Sequence, residues 1–451
     1  MNIAAPNTAQ RGKLLKILGV GFGLAIVVGG TVGVGILRSP GPIAGLLDSV
    51  WLILFAWVLG GLYSLLGANY LAELATMIPK AGGYFIYAHR AYGAYGGFVV
   101  GWSDWLYNNL ALAFIAVVFG EYAVSLFDLN FSGARILISV SILIVLTTLN
   151  WIGLRSGSAT QKLTSLLKCV ALIGFVVACF VYGRQTDASS LVEASTASAG
   201  SVAGLVAFVL AFQLVLSTYD GWHSAIYFTE EDKNPGRNLP RAMFGGILVI
   251  VAIYFLVNMA LLYVLPVSEL AGSTFAGGEA INKIFGTRGG QIVTVLALLS
   301  LAGILNALLM MCPRMLLALG REGLFTQKAA AVNEGGTPVF ALAVTVLSGI
   351  LFSSIGSFEI LLAVSQFFAV VITILLIVSL FVLRRREPDL PRPFRAWGYP
   401  IAPFIMLVIA VLLFFGYIYS NPYPSLYALA VLAVSYPIFR LVNRTRKAAT
   451  E

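Results

Sequence analysis

Apolar runs of about 20 residues recur along the whole 451-residue sequence, and they restrict its fold more than any other feature. A helix that crosses the hydrocarbon core of a bilayer needs about 20 consecutive, mainly apolar residues. Charged residues make up only 10% of the chain, whereas about a quarter is usual in soluble domains. The pattern therefore predicts an all-α, polytopic membrane protein. The twelve predicted spans comprise residues 15–45, 51–77, 96–126, 135–152, 162–183, 203–228, 242–265, 289–319, 338–355, 359–383, 401–419 and 425–441.

The 28 Lys and Arg residues are distributed unevenly between the two sides that twelve spans define. Twenty-two of them fall in the tails and around the loops after even-numbered spans, and five fall on the opposite side. Because cytoplasmic segments of membrane proteins are enriched in Lys and Arg, both termini are predicted to be cytoplasmic. We expect a multi-pass protein of the cytoplasmic (inner) cell membrane, in contact with the lipid bilayer. The net charge of +9 then reflects orientation and not nucleic-acid binding.

Two of the predicted spans contain a matching interruption. The first span begins near Leu15 and is interrupted near Gly33, and the sixth begins near Ala203 and is interrupted near Gly221. Each interruption thus follows about 18 residues of mainly apolar sequence. Paired interruptions in corresponding spans are a sequence indicator of the binding site in transporters.

The interruptions also predict an internal repeat. Because each half of the chain would contain five spans, an odd number, the second half must enter the membrane from the opposite face. No long polar insertion separates the halves, so the sequence predicts one integral membrane domain. The predicted parts of this 1–451 domain are a first inverted repeat (15–183), a second inverted repeat (203–383) and two additional helices (401–441).

The first interruption carries four glycines within seven residues, in "VVGGTVGVGILRSP" (27–40). A glycine in a helix interior costs about 1 kcal/mol relative to Ala, and a broken helix persists in a membrane only where it lines a cavity. Backbone amides at the start of the second half-helix would attract a carboxylate. Carbonyls at the second interruption (217–222) would accept an ammonium group, so together the two suit a zwitterion. Close helix packing through Gly29 and Gly33 is the alternative.

Several motifs resemble one family. "GGTVGVGILRSP" (29–40) resembles the first-span motif G-S-G-I-F-x-x-P of the amino acid–polyamine–organocation (APC) superfamily, in particular its L-type amino acid transporter-like branch. "AELATMIPKAGGYFIY" (72–87) and "TYDGWHSAIYFTEEDKNPGRNLPRA" (218–242) resemble the end of that branch's second span and its sixth-span motif. Three further segments resemble the branch in the expected order, at residues 150–168, 313–325 and 387–403.

The resemblance implies a leucine-transporter-type fold with a 5+5 inverted repeat plus two helices, alternating access and an amino acid substrate. It implies that the substrate carboxylate binds the amides of Gly33, Val34 and Gly35, with the amino group near carbonyls of both interruptions. Val34 stands where the family usually has Ser, so the amide remains and a hydroxyl donor is lost. Thr218 stands where Ala is usual.

The candidate substrate-binding residues lie in the two interruptions. Tyr219 and Trp222 are aromatic side chains beside an unwound segment, which can cover a substrate and act as a gate; packing is the alternative for each. The mostly apolar surroundings favour a neutral amino acid, since a cationic one should need an uncompensated acid in the pocket. The candidates are Gly29, Thr31, Gly33, Val34, Gly35, Ile36, Thr218, Tyr219, Asp220, Gly221 and Trp222.

Three ionisable residues within or beside the spans are candidates for coupling or proton transfer, because such groups are costly in a membrane. The resemblance carries the family's fifth-span lysine to Lys168, whose ammonium would replace a coupling sodium ion by holding the first span against the fifth; the alternative is a lysine that extends to the interface. Asp104, one turn before Asn108, would pair with a lysine, line the cytoplasmic vestibule or act as a hydrated structural carboxylate. His223 titrates near physiological pH when unperturbed or is a structural group.

The sequence thus predicts a sodium-independent secondary active transporter of neutral L-amino acids that works by exchange or by proton symport. The alternatives are transport of other amines, cationic amino acids or polyamines, and a transporter-like amino acid sensor, which would have an extra soluble domain. No metal cluster, nucleophile–base pair or phosphate-binding loop occurs, so no enzyme activity, metal or cofactor is expected.

Some members of the resembling branch pair covalently with a single-span glycoprotein through an extracellular Cys. The segment after the third span, "DLNFSGAR" (128–135), contains no Cys. We therefore expect no disulfide-linked subunit. Cys169, Cys179 and Cys312 all fall within spans and are predicted to pack in the interior.

Overall fold

The structure is a computed structural model that describes residues 14–183, 202–355 and 358–448. Within these residues the regular secondary structure is helical, apart from one isolated β-bridge between Leu18 and Asp232. Eleven helices of the described part are long and apolar enough to cross a membrane. The predicted span at 338–355 corresponds to a shorter apolar helix of 17 residues, so the count of twelve crossings stays a prediction. Residues 1–13 and 449–451, which belong to the two predicted cytoplasmic tails, lie outside the described residues.

The helices follow the predicted spans closely. Those of the first half are α1 (Val20–Thr31), α2 (Gly35–Arg38), α3 (Pro40–Leu47), α4 (Val50–Met77), α5 (Tyr84–Phe127), α6 (Ala134–Ile152) and α7 (Leu154–Tyr182). Those after them are α8 (Val202–Tyr219), a 3₁₀ helix (Trp222–Glu231), α9 (Pro235–Val264), α10 (Val267–Ala271), α11 (Ala276–Phe285), α12 (Thr287–Arg321), a short 3₁₀ helix (Gln327–Ala330), α13 (Val339–Ile355), α14 (Phe358–Arg386), α15 (Ile401–Ser420) and α16 (Pro422–Ala448).

Both predicted interruptions are present, and they touch each other. In the first span, α1 ends at Thr31 and α2 begins at Gly35. In the sixth span, α8 ends at Tyr219 and the chain continues as the tighter 3₁₀ helix. Gly221, between them, has a φ of 110°, which glycine adopts readily. A Cβ at this position would collide with the carbonyl oxygen of Gly30, so glycine allows the two interruptions to meet.

The polarity of the long helices is that of a membrane protein, with apolar side chains outside and polar ones inside. On α7, Leu166 is 62% exposed and Val170 is 60% exposed, whereas Gln161 and Lys168 are buried. In water this distribution would be unfavourable, but hydrocarbon chains solvate apolar side chains and leave the polar ones to pair with each other. The outer surface of α7 therefore faces lipid and its polar stripe faces α1.

The loops after the even-numbered spans meet at one end of the bundle, which we call the basic end. There the side chain of Glu230 accepts a hydrogen bond from the amide of Ala81, and the backbone of Leu18 pairs with Glu231 and Lys233. The polar segment 387–400 lies at this end. It connects α14 to α15 and packs against α4 and α9.

A buried carboxylate on α4 holds this segment in place. The side chain of Glu73 is fully buried. It accepts hydrogen bonds from Arg384 Nε at 2.8 Å, from Arg384 Nη2 at 2.5 Å and from the amide of Ala396 at 2.6 Å, and it lies 3.2 Å from Arg392 Nε. Two guanidinium groups and one amide thus converge on a single carboxylate, which fixes the end of α14 against α4.

We expect Glu73→Gln to lower the free energy of unfolding by about 3 kcal/mol, because removing one partner of a buried ion pair leaves a charge uncompensated. The matched control is Glu387→Gln. Glu387 pairs with Arg90 at the surface, where the two side chains are 30% and 42% exposed, and such pairs contribute about 0–1 kcal/mol. Thermal unfolding of the purified protein in detergent measures both. Equal destabilisation by the two substitutions would contradict the anchoring role of Glu73.

Candidate functional site

A cavity of about 190 Å³ lies between the two interruptions and helices α5, α12 and α14. Its wall at the interruptions is polar, and its opposite wall is formed by apolar side chains that include Phe114, Ile304 and Leu308. Of the residues predicted for substrate binding or coupling, eight line this cavity: Thr31, Gly33, Val34, Gly35, Thr218, Asp220, Gly221 and His223.

Three consecutive amides at the first interruption have no backbone acceptor. In the described part of the chain, the N–H groups of Gly33, Val34 and Gly35 make no hydrogen bond to a carbonyl. These amides precede a nearly continuous half-helix, since Ser39 between α2 and α3 also has helical backbone angles. Amides at a helix start carry partial positive charge. The cavity wall therefore offers donors for an anionic group.

Most carbonyls at the two interruptions are already hydrogen-bonded. The Tyr254 hydroxyl lies 3.1 Å from the carbonyl oxygen of Thr31 and 3.0 Å from that of Thr218, and can donate to either. The carbonyl of Gly221 accepts from Ser224. Among the described residues, the carbonyls of Gly30 and Ser217 accept no hydrogen bond, and both residues line the cavity. The acceptors open to an ammonium group are thus fewer than the sequence predicted.

Gly29 lies outside the cavity wall and belongs to the contact between α1 and α7. A Cβ at Gly29 would overlap the side chains of Gln161 and Ser165. The Ser165 hydroxyl donates to the carbonyl of Ala25 at 2.7 Å, which brings the two helices together. Close packing, the alternative considered for this glycine, is what the structure shows at this position.

Lys168 lies behind the interruption and is 1% exposed. Its ammonium donates to the carbonyl oxygens of Gly29 and Val32, each at 2.8 Å, and to that of Ser300 at 3.2 Å. All three N–H donors of the ammonium are therefore used. The positive charge lies at the carboxyl end of α1, where the helix dipole favours a cation. Extension of Lys168 to the membrane interface is excluded by this geometry.

Tyr219, Trp222 and Ile36 do not line the cavity, in contrast to their predicted position. The hydroxyl of Tyr219 donates to the carbonyl of Trp57 at 3.0 Å, and this holds its ring against α4. Trp222 faces a second, smaller cavity and packs against Gly67 of α4. Ile36 is fully buried on the side of α2 away from the cavity.

Asp220 places a carboxylate in the cavity wall. It accepts hydrogen bonds from the Tyr107 hydroxyl and from the amide of Gly221, the latter at 2.9 Å. Its Oδ1 lies 3.8 Å from Nδ1 of His223. Within the described residues, no Lys or Arg forms a salt bridge with it. The pocket therefore contains an acid whose ion-pair contact among the described residues is with a histidine.

Asp104 is fully buried below the cavity, towards the basic end. It accepts hydrogen bonds from the Tyr227 hydroxyl at 2.8 Å and from the Asn108 amide at 2.9 Å. In the part of the chain that the structure describes, no lysine pairs with it, and the role of this buried carboxylate stays a prediction. Together with the buried Glu231–Arg314 ion pair, at 2.8 Å, it closes the basic end.

Several site residues carry no local sequence signal. Tyr107 and Tyr254 are ordinary aromatic residues within apolar spans, and only the fold brings them to the interruptions. Ser39 lies four residues after Gly35, and its hydroxyl is hydrogen-bonded to the Thr218 hydroxyl at 2.9 Å. The one feature of the sequence that could have indicated Ser39 as a site residue is its polar side chain close to the glycine cluster.

The comparisons with known proteins agree on one family. Residues 23–438 match the amino acid permease family. The serine/threonine exchanger SteT of Bacillus subtilis (strain 168) is 30% identical over 87% of this chain and 89% of its own length. The b(0,+)-type amino acid transporter 1 of Rattus norvegicus is 30% identical over 91% of this chain and 84% of its own.

The Asc-type amino acid transporter 1 of Mus musculus is 29% identical over 96% of this chain and 82% of its own length. The family and these relatives are transporters and not enzymes. With the apolar helices described above, these matches make the chain a multi-pass membrane protein that transports amino acids. The chain belongs to the amino acid permease family, in the L-type transporter-like branch of the APC superfamily.

Proposed function

We propose that this protein is a sodium-independent secondary active transporter of neutral L-amino acids in the cell membrane. The observation that carries the proposal is the set of free amides at Gly33, Val34 and Gly35, which face a cavity with an apolar far wall. Such a cavity combines donors for a carboxylate with room for an uncharged side chain. That combination suits an amino acid without a second charge.

The substrate is oriented by the two ends of the cavity. Its carboxylate binds the amides 33–35, and its ammonium group binds the free carbonyls of Gly30 and Ser217. The hydroxyl of Thr31 is buried in the same wall and has no partner among the described residues. It supplies the hydroxyl donor that is missing at Val34. The side chain of the substrate then lies in the remaining part of the cavity.

Transport proceeds by alternating access between the two repeats, 15–183 and 203–383, with two additional helices in 401–441. The cavity wall continues away from the basic end, through Arg38 and Leu362, whereas the Glu231–Arg314 pair closes the basic end. With both termini cytoplasmic, this conformation is closed to the cytoplasm. The proposal also includes twelve membrane spans and no disulfide-linked subunit.

Lys168 takes the place of a coupling cation in this account. Its ammonium holds the carboxyl end of α1 against α7 and α12 through three carbonyls. A lysine that stays charged throughout the cycle fits exchange, and one that releases its proton fits proton symport. Asp104 and His223 are the other residues to test for proton coupling.

Uptake of a labelled neutral amino acid into proteoliposomes without sodium tests the proposal. We expect saturable uptake that the unlabelled amino acid inhibits and its carboxamide does not, because the carboxamide lacks the anion that the amides bind. Uptake only into preloaded vesicles identifies exchange, and uptake into empty vesicles that are acidic outside identifies proton symport. An absolute requirement for sodium, or equal inhibition by the carboxamide, would contradict the proposal.

For Lys168→Met we expect uptake to fall at least about tenfold with normal amounts of protein in the membrane, because one hydrogen bond to a charged group contributes about 1.5–3 kcal/mol. The matched control is Lys162→Met, since Lys162 lies on the same helix and is exposed. It should transport normally. Normal uptake by Lys168→Met would remove the lysine from the mechanism.

Transport of cationic amino acids or other amines is the second candidate, and Asp220 is the observation in its favour. A carboxylate in the cavity wall without a Lys or Arg partner among the described residues is a suitable acceptor for a second ammonium group. The neutral proposal requires instead that Tyr107 and His223 satisfy this carboxylate.

Asp220→Asn separates the two candidates. If lysine or a diamine is a substrate, this substitution should weaken its inhibition of uptake by about tenfold or more and affect neutral amino acids far less, since charge-assisted hydrogen bonds are about twice as strong as neutral ones. The measurement is the concentration of each competitor that halves uptake. If lysine inhibits the wild type poorly and the substitution leaves that unchanged, the neutral proposal stands.

A further inference from the structure

A second cavity of about 80 Å³ lies next to the first, among α4, α5, α14, α15 and the 3₁₀ helix. The two cavities share a wall. The residues that line both are Tyr107, Asp220, His223 and Gln366. This wall lies between the proposed binding site and the second cavity.

The second cavity is rich in hydroxyl groups. Besides Tyr107 of the shared wall, four tyrosines from three helices line it: Tyr63, Tyr70, Tyr84 and Tyr417. In the described part of the chain, none of their hydroxyls makes a hydrogen bond to another residue. Each can therefore donate to, or accept from, a molecule inside the cavity. A short uncharged chain that ends in a hydroxyl or an amide matches this lining.

The His223 ring forms part of the shared wall. Tyr107 and Asp220 are hydrogen-bonded to each other in the same wall. The imidazole packs with ring centroids 5.3 Å from Tyr84 and 5.8 Å from Trp222, and its Nδ1 lies 3.8 Å from Oδ1 of Asp220. Its Nε2 is buried without a partner among the described residues, so no hydrogen bond from Nε2 to those residues contributes to the wall.

We propose that His223 sets the upper limit on substrate side-chain length, and that the second cavity is a distal subsite for the hydroxyl or amide end of a longer side chain. This inference rests on the proposed function, because it requires an amino acid in the first cavity. With the imidazole in place, a long side chain meets the ring and is rejected. Without the ring, the side chain extends into the second cavity.

A homologous series of hydroxy amino acids tests the proposal: serine, homoserine, 5-hydroxynorvaline and 6-hydroxynorleucine as competitors of labelled amino acid uptake. Each buried methylene raises affinity by about fourfold. In the wild type, the affinity for the competitors should stop rising with chain length at the amino acid whose side chain reaches the His223 ring. In His223→Ala, we expect the next two longer members to bind about tenfold more tightly than they bind the wild type.

Two further variants distinguish bulk from other roles. His223→Phe keeps a planar ring without nitrogen atoms and should retain the wild-type length limit. Ala369→Leu fills only the second cavity, because Ala369 lines that cavity and not the first. Alone, Ala369→Leu should leave the limit on side-chain length unchanged. In the His223→Ala background, it should restore the wild-type limit. His223→Asn, a smaller polar substitution, is the second variant should His223→Ala fail to fold.

Thermal stabilisation of the purified variants by the same series gives a readout that does not depend on transport. An unchanged length limit in His223→Ala, or in His223→Asn, would overturn the proposal. A lengthened limit in His223→Phe would equally overturn it, since the nitrogen atoms and not the bulk would then be responsible. Failure of the proposed function is a separate result: the wild type would then bind none of the short neutral amino acids.

Discussion

The structure depends on one interaction, between the Lys168 ammonium and the carbonyls of Gly29 and Val32. A break in a membrane helix exposes polar backbone groups that hydrocarbon cannot solvate. The ammonium satisfies the carbonyls on one side of the break, at the end of α1 where the helix dipole favours a cation. On the other side, the amides of residues that line the cavity have no backbone acceptor among the described residues. In the proposed function, the same break thus stabilises the fold and supplies the binding groups.

The two interruptions form one site because they contact each other directly. Gly221 lies against the backbone of Gly30, and the Tyr254 hydroxyl contacts the carboxyl ends of both α1 and α8. A shift of one interruption must therefore move the other. The Glu231–Arg314 pair lies at the far end of the same 3₁₀ helix, so the alternating access proposed above would link movement at the site to opening of the basic end.

The sequence predicts the helices and the breaks well, because the length of an apolar run and a glycine cluster are local properties. It does not predict which way each side chain faces. Gly29 and Gly33 belong to the same glycine cluster and look alike in the sequence. In the structure, however, Gly29 packs on α7 and Gly33 lines the cavity. Tyr219 is turned away by Trp57, 162 residues distant in the chain. Contacts between distant residues also created the second cavity, for which the sequence offers no indication.

A structure of the protein with its amino acid bound tests the central claim most directly. The account predicts that the substrate carboxylate lies about 3 Å from the amides of Gly33 and Gly35, while Lys168 keeps its contacts to the carbonyls of Gly29 and Val32. A carboxylate held by Arg38, which also lines the cavity, with the three amides turned away from it, would contradict the account.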